Sequence, residues 1–176
     1  MKQITGKSAG MRTVLQRVSN AEVWVGGECV GRIGKGILAL VAISRNDTEK
    51  ELQWMARKIV ELRMFDDSEG RLNLSLQDVC GQLLVVSQFT LYGDCKKGRR
   101  PSYIEAAPPA EAEKLYNQFV SIVRQLVPDV QTGTFQAMMQ VQLTNSGPVT
   151  LILENQYTSK PLTSDDGRLP IDTHPS

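Results

Sequence analysis

With 176 residues, 41% of them hydrophobic and 22% charged, the chain is long enough for one domain with a core that needs no disulfide staples. A net charge of +1 gives no global pull on polyanions, so any nucleic-acid contact must come from a local patch. No apolar run approaches the roughly 20 residues that span a bilayer, and the opening MKQITGKSAG lacks the apolar stretch of a secretory signal, so the expectation is a cytoplasmic protein with no membrane partner.

Residues 1–10 read as a flexible extension, 11–155 as a single domain, and the polar stretch 156–176 as a disordered tail. The domain opens with short β-rich runs at 12–18, 21–25 and 29–33, the last two joined at Gly26-Gly27. The apolar run 37–43 reads as a strand covered on both faces. Thr48 and Glu51 form a capping box, and Leu52, Met55, Ala56, Ile59 and Leu62 recur at helical spacing after it. The acidic DDSEG at 66–70 lacks the alternating ligands of a calcium loop and reads as an exposed turn. A buried strand over 83–89 follows, then a basic loop. Pro108 and Pro109 open an amphipathic helix, with Leu115, Tyr116, Phe119, Ile122, Val123 and Leu126 on its apolar stripe and Pro128 at its end. Two last strands, 138–144 and 149–154, flank Gly147-Pro148. These elements predict a mixed α/β fold, a curled or barrel-like β-sheet with two main packed helices.

The only histidine is His174, in the tail. A Ser-His-Asp triad, a Cys-His pair and a His-built zinc site are thereby disfavoured, and no metal or cofactor is expected. Cys29, Cys80 and Cys95 are odd in number and form no C-x-x-C pair. They read as small core hydrophobes or idle thiols in a reducing compartment.

Two polar strand ends remain as candidates. Ser87, Gln88, Phe89 and Thr90 offer two hydroxyls, an amide and a flat apolar wall. Strand alternation would put Ser87 and Phe89 on one face, Gln88 and Thr90 on the other. Composition alone favours a blander reading, a strand end that satisfies nearby backbone. Lys96, Lys97, Arg99 and Arg100 place four cations in five positions. Lysine charge and arginine forks suit phosphates, with a solvated basic turn as the equal alternative. The loop follows the polar strand end by a few residues, which favours a nucleic acid over a small metabolite. At Gly147-Pro148 proline donates no ladder hydrogen bond, and glycine lets a ligand approach the main chain. A plain tight turn between the last two strands is the alternative there.

SQFTL at 87–91 and NSGPVT at 145–150 resemble the two signature motifs of the D-aminoacyl-tRNA deacylases. KKGRRPS at 96–102, AAPP at 106–109 and MRTVLQRV at 11–18 are similar to the same family, so the likeness covers residues 11–155. It implies a homodimeric hydrolase that cleaves the ester between a D-amino acid and the terminal ribose of tRNA, mischarged glycyl esters included. It further implies that a cis Gly147-Pro148 of one subunit enters the partner's pocket and rejects L side chains. Ser87, Gln88, Phe89 and Thr90 would form the pocket floor, with Asn145 and Thr150 in the selecting motif. By the same resemblance Met139 lines the adenine pocket and Arg17 fixes the Gly-Pro loop; on a tRNA substrate, Lys96, Lys97, Arg99 and Arg100 are the candidates for its phosphates. Water would be activated largely by the substrate's own 2′-hydroxyl rather than through a covalent Thr90 ester. The main rival is a non-catalytic nucleic-acid-binding module that uses loop 96–100, with salt-sensitive binding and no turnover.

Overall fold

The computed structural model describes residues 9–156. The expectations for residues 1–8, for 157–176 and for His174 lie outside the described residues. The sheet is organised around β1 (Ala9–Val25), whose inward positions Met11, Thr13, Leu15 and Arg17 alternate with half-buried ones. Along one edge β1 pairs antiparallel with β8 (Met139–Gln156). Its other edge is shared by β2 (Glu28–Ile33) and β3 (Gly36–Ala42). From β3 the order continues in parallel to β6 (Gln82–Ser87) and β7 (Val130–Thr132). Two helices make the crossovers that parallel pairing requires. These are α1 (Glu49–Glu61), between β3 and β6, and α2 (Pro109–Leu126), between β6 and β7. A small hairpin, β4 (Phe65–Asp66) and β5 (Leu72–Leu74), stands apart.

Local chemistry accounts for much of this. Gly26 and Gly27 take φ of +58° and +88° in the two-residue turn between β1 and β2. Thr48 and Glu51 close the expected capping box on α1. Strand β3 is buried on both faces: Ile37, Ala39 and Val41 pack with the helices, Leu38 with Val18, Val23, Leu84 and Val86. The second cluster lies where the sheet curls back on itself. A Cβ at Gly31 would stand 2.5 Å from the Thr132 carbonyl oxygen, so β2 almost meets β7 and the barrel is nearly closed. No helix among the described residues is long and apolar enough to cross a membrane.

Several details differ from the sequence reading. The runs 12–18 and 21–25 are one strand, because β1 bends through register shifts against β8 near Val18 and carries polar Ser19 and Asn20 across the bend. It also starts at Ala9, with Gly10 buried. Strand β6 stops at Ser87, and Phe89–Tyr92 is a short 3-10 helix. Tyr92 anchors this turn: its buried hydroxyl donates to the Gly10 carbonyl at 2.7 Å and lies 3.3 Å from the Ala42 carbonyl. Strand β7 was not anticipated. Gly147-Pro148 lies inside β8 rather than in a turn between two strands. The three thiols are free and exposed, so none is a core residue.

Candidate active site

The end of β6 builds the first half of the site. Ser87 pairs in register with Val41 of β3, and the Gln88 N–H donates to the Val41 carbonyl at 2.7 Å. The chain then leaves the sheet, so strand alternation no longer governs the next side chains. Gln88 Nε2 donates to Thr90 Oγ1, which joins their two side chains. Phe89 packs edge-on against Tyr103, with ring centroids 5.3 Å apart. The group bonded to the Thr90 hydroxyl is an amide N–H, which cannot take its proton. Burial pushes the hydroxyls of Tyr92 and Tyr116 far above the ordinary tyrosine range, so neither ionises near neutral pH. No three His, Cys, Asp or Glu side chains among the described residues are placed to hold a metal.

The second half is a bulge in β8. Asn145 pairs with Val18 and Thr150 with Gln16, so residues 146–149 stand opposite Arg17 alone. The Gly147-Pro148 peptide bond is cis, and both residues are exposed. Arg17 braces the bulge from below. Its Nε donates to the Ser146 carbonyl at 3.0 Å, and its Nη1 to the Met64 carbonyl and to Asp66 Oδ2, each at 3.0 Å. Asn145 braces it from the side, accepting from the Val149 N–H at 3.1 Å and donating to Thr150 Oγ1 at 2.9 Å. Beside the bulge an open pocket of about 300 Å³ is lined by Arg17, Lys35, Phe65, Asp66 and Ser146.

Asp66 was legible only as part of an acidic turn; the tertiary fold makes it the charge partner of Arg17. Because Asp66 is half exposed, its pairing contributes under about 1 kcal/mol to stability. The guanidinium fork matters more, since one group serves three acceptors in two directions. Arg17→Lys is therefore expected to lower turnover at the site about tenfold, and Asp66→Asn less than threefold. Single-turnover rates of the two variants check this order.

Met139 pairs with Val25 and lies with its sulfur against Gly133. The Gly133 N–H in turn donates to the Val85 carbonyl at 3.1 Å, two residues before Ser87. Met139 therefore belongs with Ser87 at one end of the molecule. The connecting loop carries Phe135, which packs on Tyr116 at 5.7 Å. Neither Gly133 nor Phe135 was evident from the sequence. The basic loop also lies at this end. Backbone hydrogen bonds between Asp94 and Ser102, 2.8 and 3.1 Å long, close its base, and Gly98 turns its tip at φ +73°. Lys96, Lys97, Arg99 and Arg100 are exposed, and none has a carboxylate within ion-pair distance among the described residues.

The two halves do not meet in one chain. Ser87 aligns with Val41, and Val41 with Thr13, whereas the bulge lies opposite Arg17, four residues further along β1. That is roughly 13 Å along the strands, and about 14 Å across the three strand spacings from β8 to β6. No hydrogen bond or ring contact joins the motifs among the described residues.

Residues 14–154 match the family described as D-Tyr-tRNA(Tyr) deacylase. The D-aminoacyl-tRNA deacylase of Desulfatibacillum aliphaticivorans is 57% identical over 146 residues, 83% of this chain and 100% of its own length. That of Thermosipho africanus is 53% identical over 146 residues, 83% of this chain and 98% of its own. Among solved structures, one described as the c-Myc DNA unwinding element binding protein has a TM-score of 0.78 and 44% identity. It covers 82% of this chain and 98% of its own. Matched by the family model over residues 14–154, and covering nearly the full length of these relatives, the chain belongs to the D-Tyr-tRNA(Tyr) deacylase family.

Proposed function

We propose that the protein hydrolyses the ester of D-aminoacyl-tRNA, releasing free D-amino acid and tRNA, and does so as a cytoplasmic homodimer. The observation that carries this reading is the pair of motifs, each built and braced, yet separated in the single chain. A partner subunit that presents its Gly147-Pro148 to the Ser87–Thr90 end would complete the site. Selection then rests on main chain. Gly147 offers no side chain, so the backbone itself stands where an L side chain would have to go, and the D side chain points away. Such selection is indifferent to which D-amino acid is attached, and it leaves glycyl esters as substrates.

The tRNA acceptor end is the partner this arrangement suits, with Met139 at the adenine and the basic loop at the phosphates. Water is activated largely by the ribose 2′-hydroxyl, since the Thr90 hydroxyl is bonded among the described residues to an amide donor. Thr90→Ala is expected to keep at least about a tenth of the wild-type rate, because removing one positioning hydrogen bond to a neutral group costs about 1 kcal/mol. Near-complete loss with an intact fold would revive a threonyl ester.

The test is deacylation of D-tyrosyl-tRNA against L-tyrosyl-tRNA, with sedimentation velocity for the dimer. Loss of the D-ester alone supports the reading, and hydrolysis of both esters overturns the selection geometry. A second reading, a binding module without turnover, draws on the unpaired cations and on the relative described as binding a DNA unwinding element. Salt-sensitive tRNA binding with no hydrolysis of either ester would favour it.

A further inference from the structure

We propose that Tyr103 and Ile104, at the foot of the basic loop, form a subsite for the unpaired cytidines that precede the terminal adenosine of tRNA. This rests on the deacylase reading and carries it outward from the ester.

Three large apolar side chains are exposed on this side of the molecule: Phe89 at 59%, Tyr103 at 37% and Ile104 at 71%. They are contiguous, since Phe89 and Tyr103 pair edge to face and Ile104 follows in the chain. An exposed aromatic cluster of this kind is costly unless something covers it. The cluster is also held in place. Tyr103 presses on Gly93, where a Cβ would lie 3.2 Å from its ring, and the Asp94–Ser102 hydrogen bonds fix the strand beside it.

Charge says what covers it. Directly beyond that stem stand Lys96, Lys97, Arg99 and Arg100, without carboxylate partners among the described residues. The Asp94 carboxylate is engaged with the Lys96 N–H at 2.9 Å. In the proposed dimer the partner subunit's Gly147-Pro148 meets Phe89, but a protein ligand would leave these cations unanswered. A duplex would use the cations and leave the rings bare. A single strand uses both, its bases stacking on rings while its phosphates track the cations. The unpaired strand joined to the ester is the 3′ end of tRNA. Phe89 follows Gln88 in the chain, Tyr103 packs on Phe89, and the cations stand in the loop closed by Asp94 and Ser102.

The test compares D-tyrosyl-tRNA with 3′-D-tyrosyl-adenosine, which ends at the first nucleotide. Tyr103→Ala and Ile104→Ser are each expected to lower kcat/KM on the tRNA substrate about tenfold more than on the adenosine substrate, mainly through KM. Tyr103→Phe should restore the rate, and the Ile104 change, on an exposed side chain, does not threaten folding. Equal losses on both substrates would mean that Tyr103 only supports Phe89, and no loss on tRNA would remove the subsite; either result overturns the proposal. The subsite is judged separately by binding of deacylated tRNA, intact or trimmed of its last three nucleotides. The wild type should prefer intact tRNA, and Tyr103→Ala should lose most of that preference. No preference in the wild type overturns the subsite, whereas preference without turnover of either ester overturns only the deacylase reading.

Discussion

Gly147→Ala is expected to reduce hydrolysis of D-tyrosyl-tRNA to about 1% of wild type or less while the protein remains folded. The position is closed to a side chain on two counts. Its φ of +120° lies where L residues rarely go, and a Cβ there would stand 2.6 Å from Arg17 Nη2 and 2.9 Å from Val149 Cγ2. Arg17 cannot yield, because it is tied to Ser146, Met64 and Asp66. The bulge must shift instead, and a displacement of about 1 Å in a positioning element can cost on the order of 100-fold in rate. The strain itself costs about 1–3 kcal/mol, or roughly 2–12 °C in Tm for a chain of this size. Deacylation kinetics and a thermal melt on the same preparation separate the two effects. A variant within threefold of wild-type activity would show that Gly147 does not meet the substrate. A variant with no cooperative melt would show that the fold, rather than the site, had failed.

Replacing Lys96, Lys97, Arg99 and Arg100 together with alanine is expected to produce the next largest effect, on tRNA affinity and its salt dependence. Each phosphate held on a single strand contributes about −0.7 to the slope of log K against log salt. Removing all four cations should therefore flatten the slope by about three. Over 50 to 200 mM salt, those four side chains account for about a 50-fold fall in wild-type affinity that the variant should not show. Stability should be unchanged, because the four side chains are exposed and their loop is closed by backbone bonds between Asp94 and Ser102. Binding of deacylated tRNA across a salt series gives the answer. An unchanged slope would mean that the loop is a solvated turn and that phosphates are held elsewhere.

The features legible from the residues alone are those decided within a few residues of themselves. Thr48 and Glu51 announce the start of α1 because a capping box closes within one turn. Gly26 and Gly27 announce a hairpin because only glycine takes both positive φ values without cost. The apolar stripes of α1 and α2, and the unbroken apolar run of β3, record which surfaces face the core. Those stripes were enough to infer the mixed α/β class, and the two motifs were enough to suggest the family. Periodicity does not record where a strand's partner lies or what pulls the chain away from it. Tyr92 anchors the turn after β6 on carbonyls 82 and 50 residues away, and alternation failed just where the site begins. Asp66 gains its role through Arg17, 49 residues away, and the bulge is held by an arginine 129 residues before Ser146. Hydrogen bonds at such separations leave no local trace, because each residue's own neighbours are compatible with many partners. Only the curled sheet selects one, and with it the distance between the two motifs in a single chain.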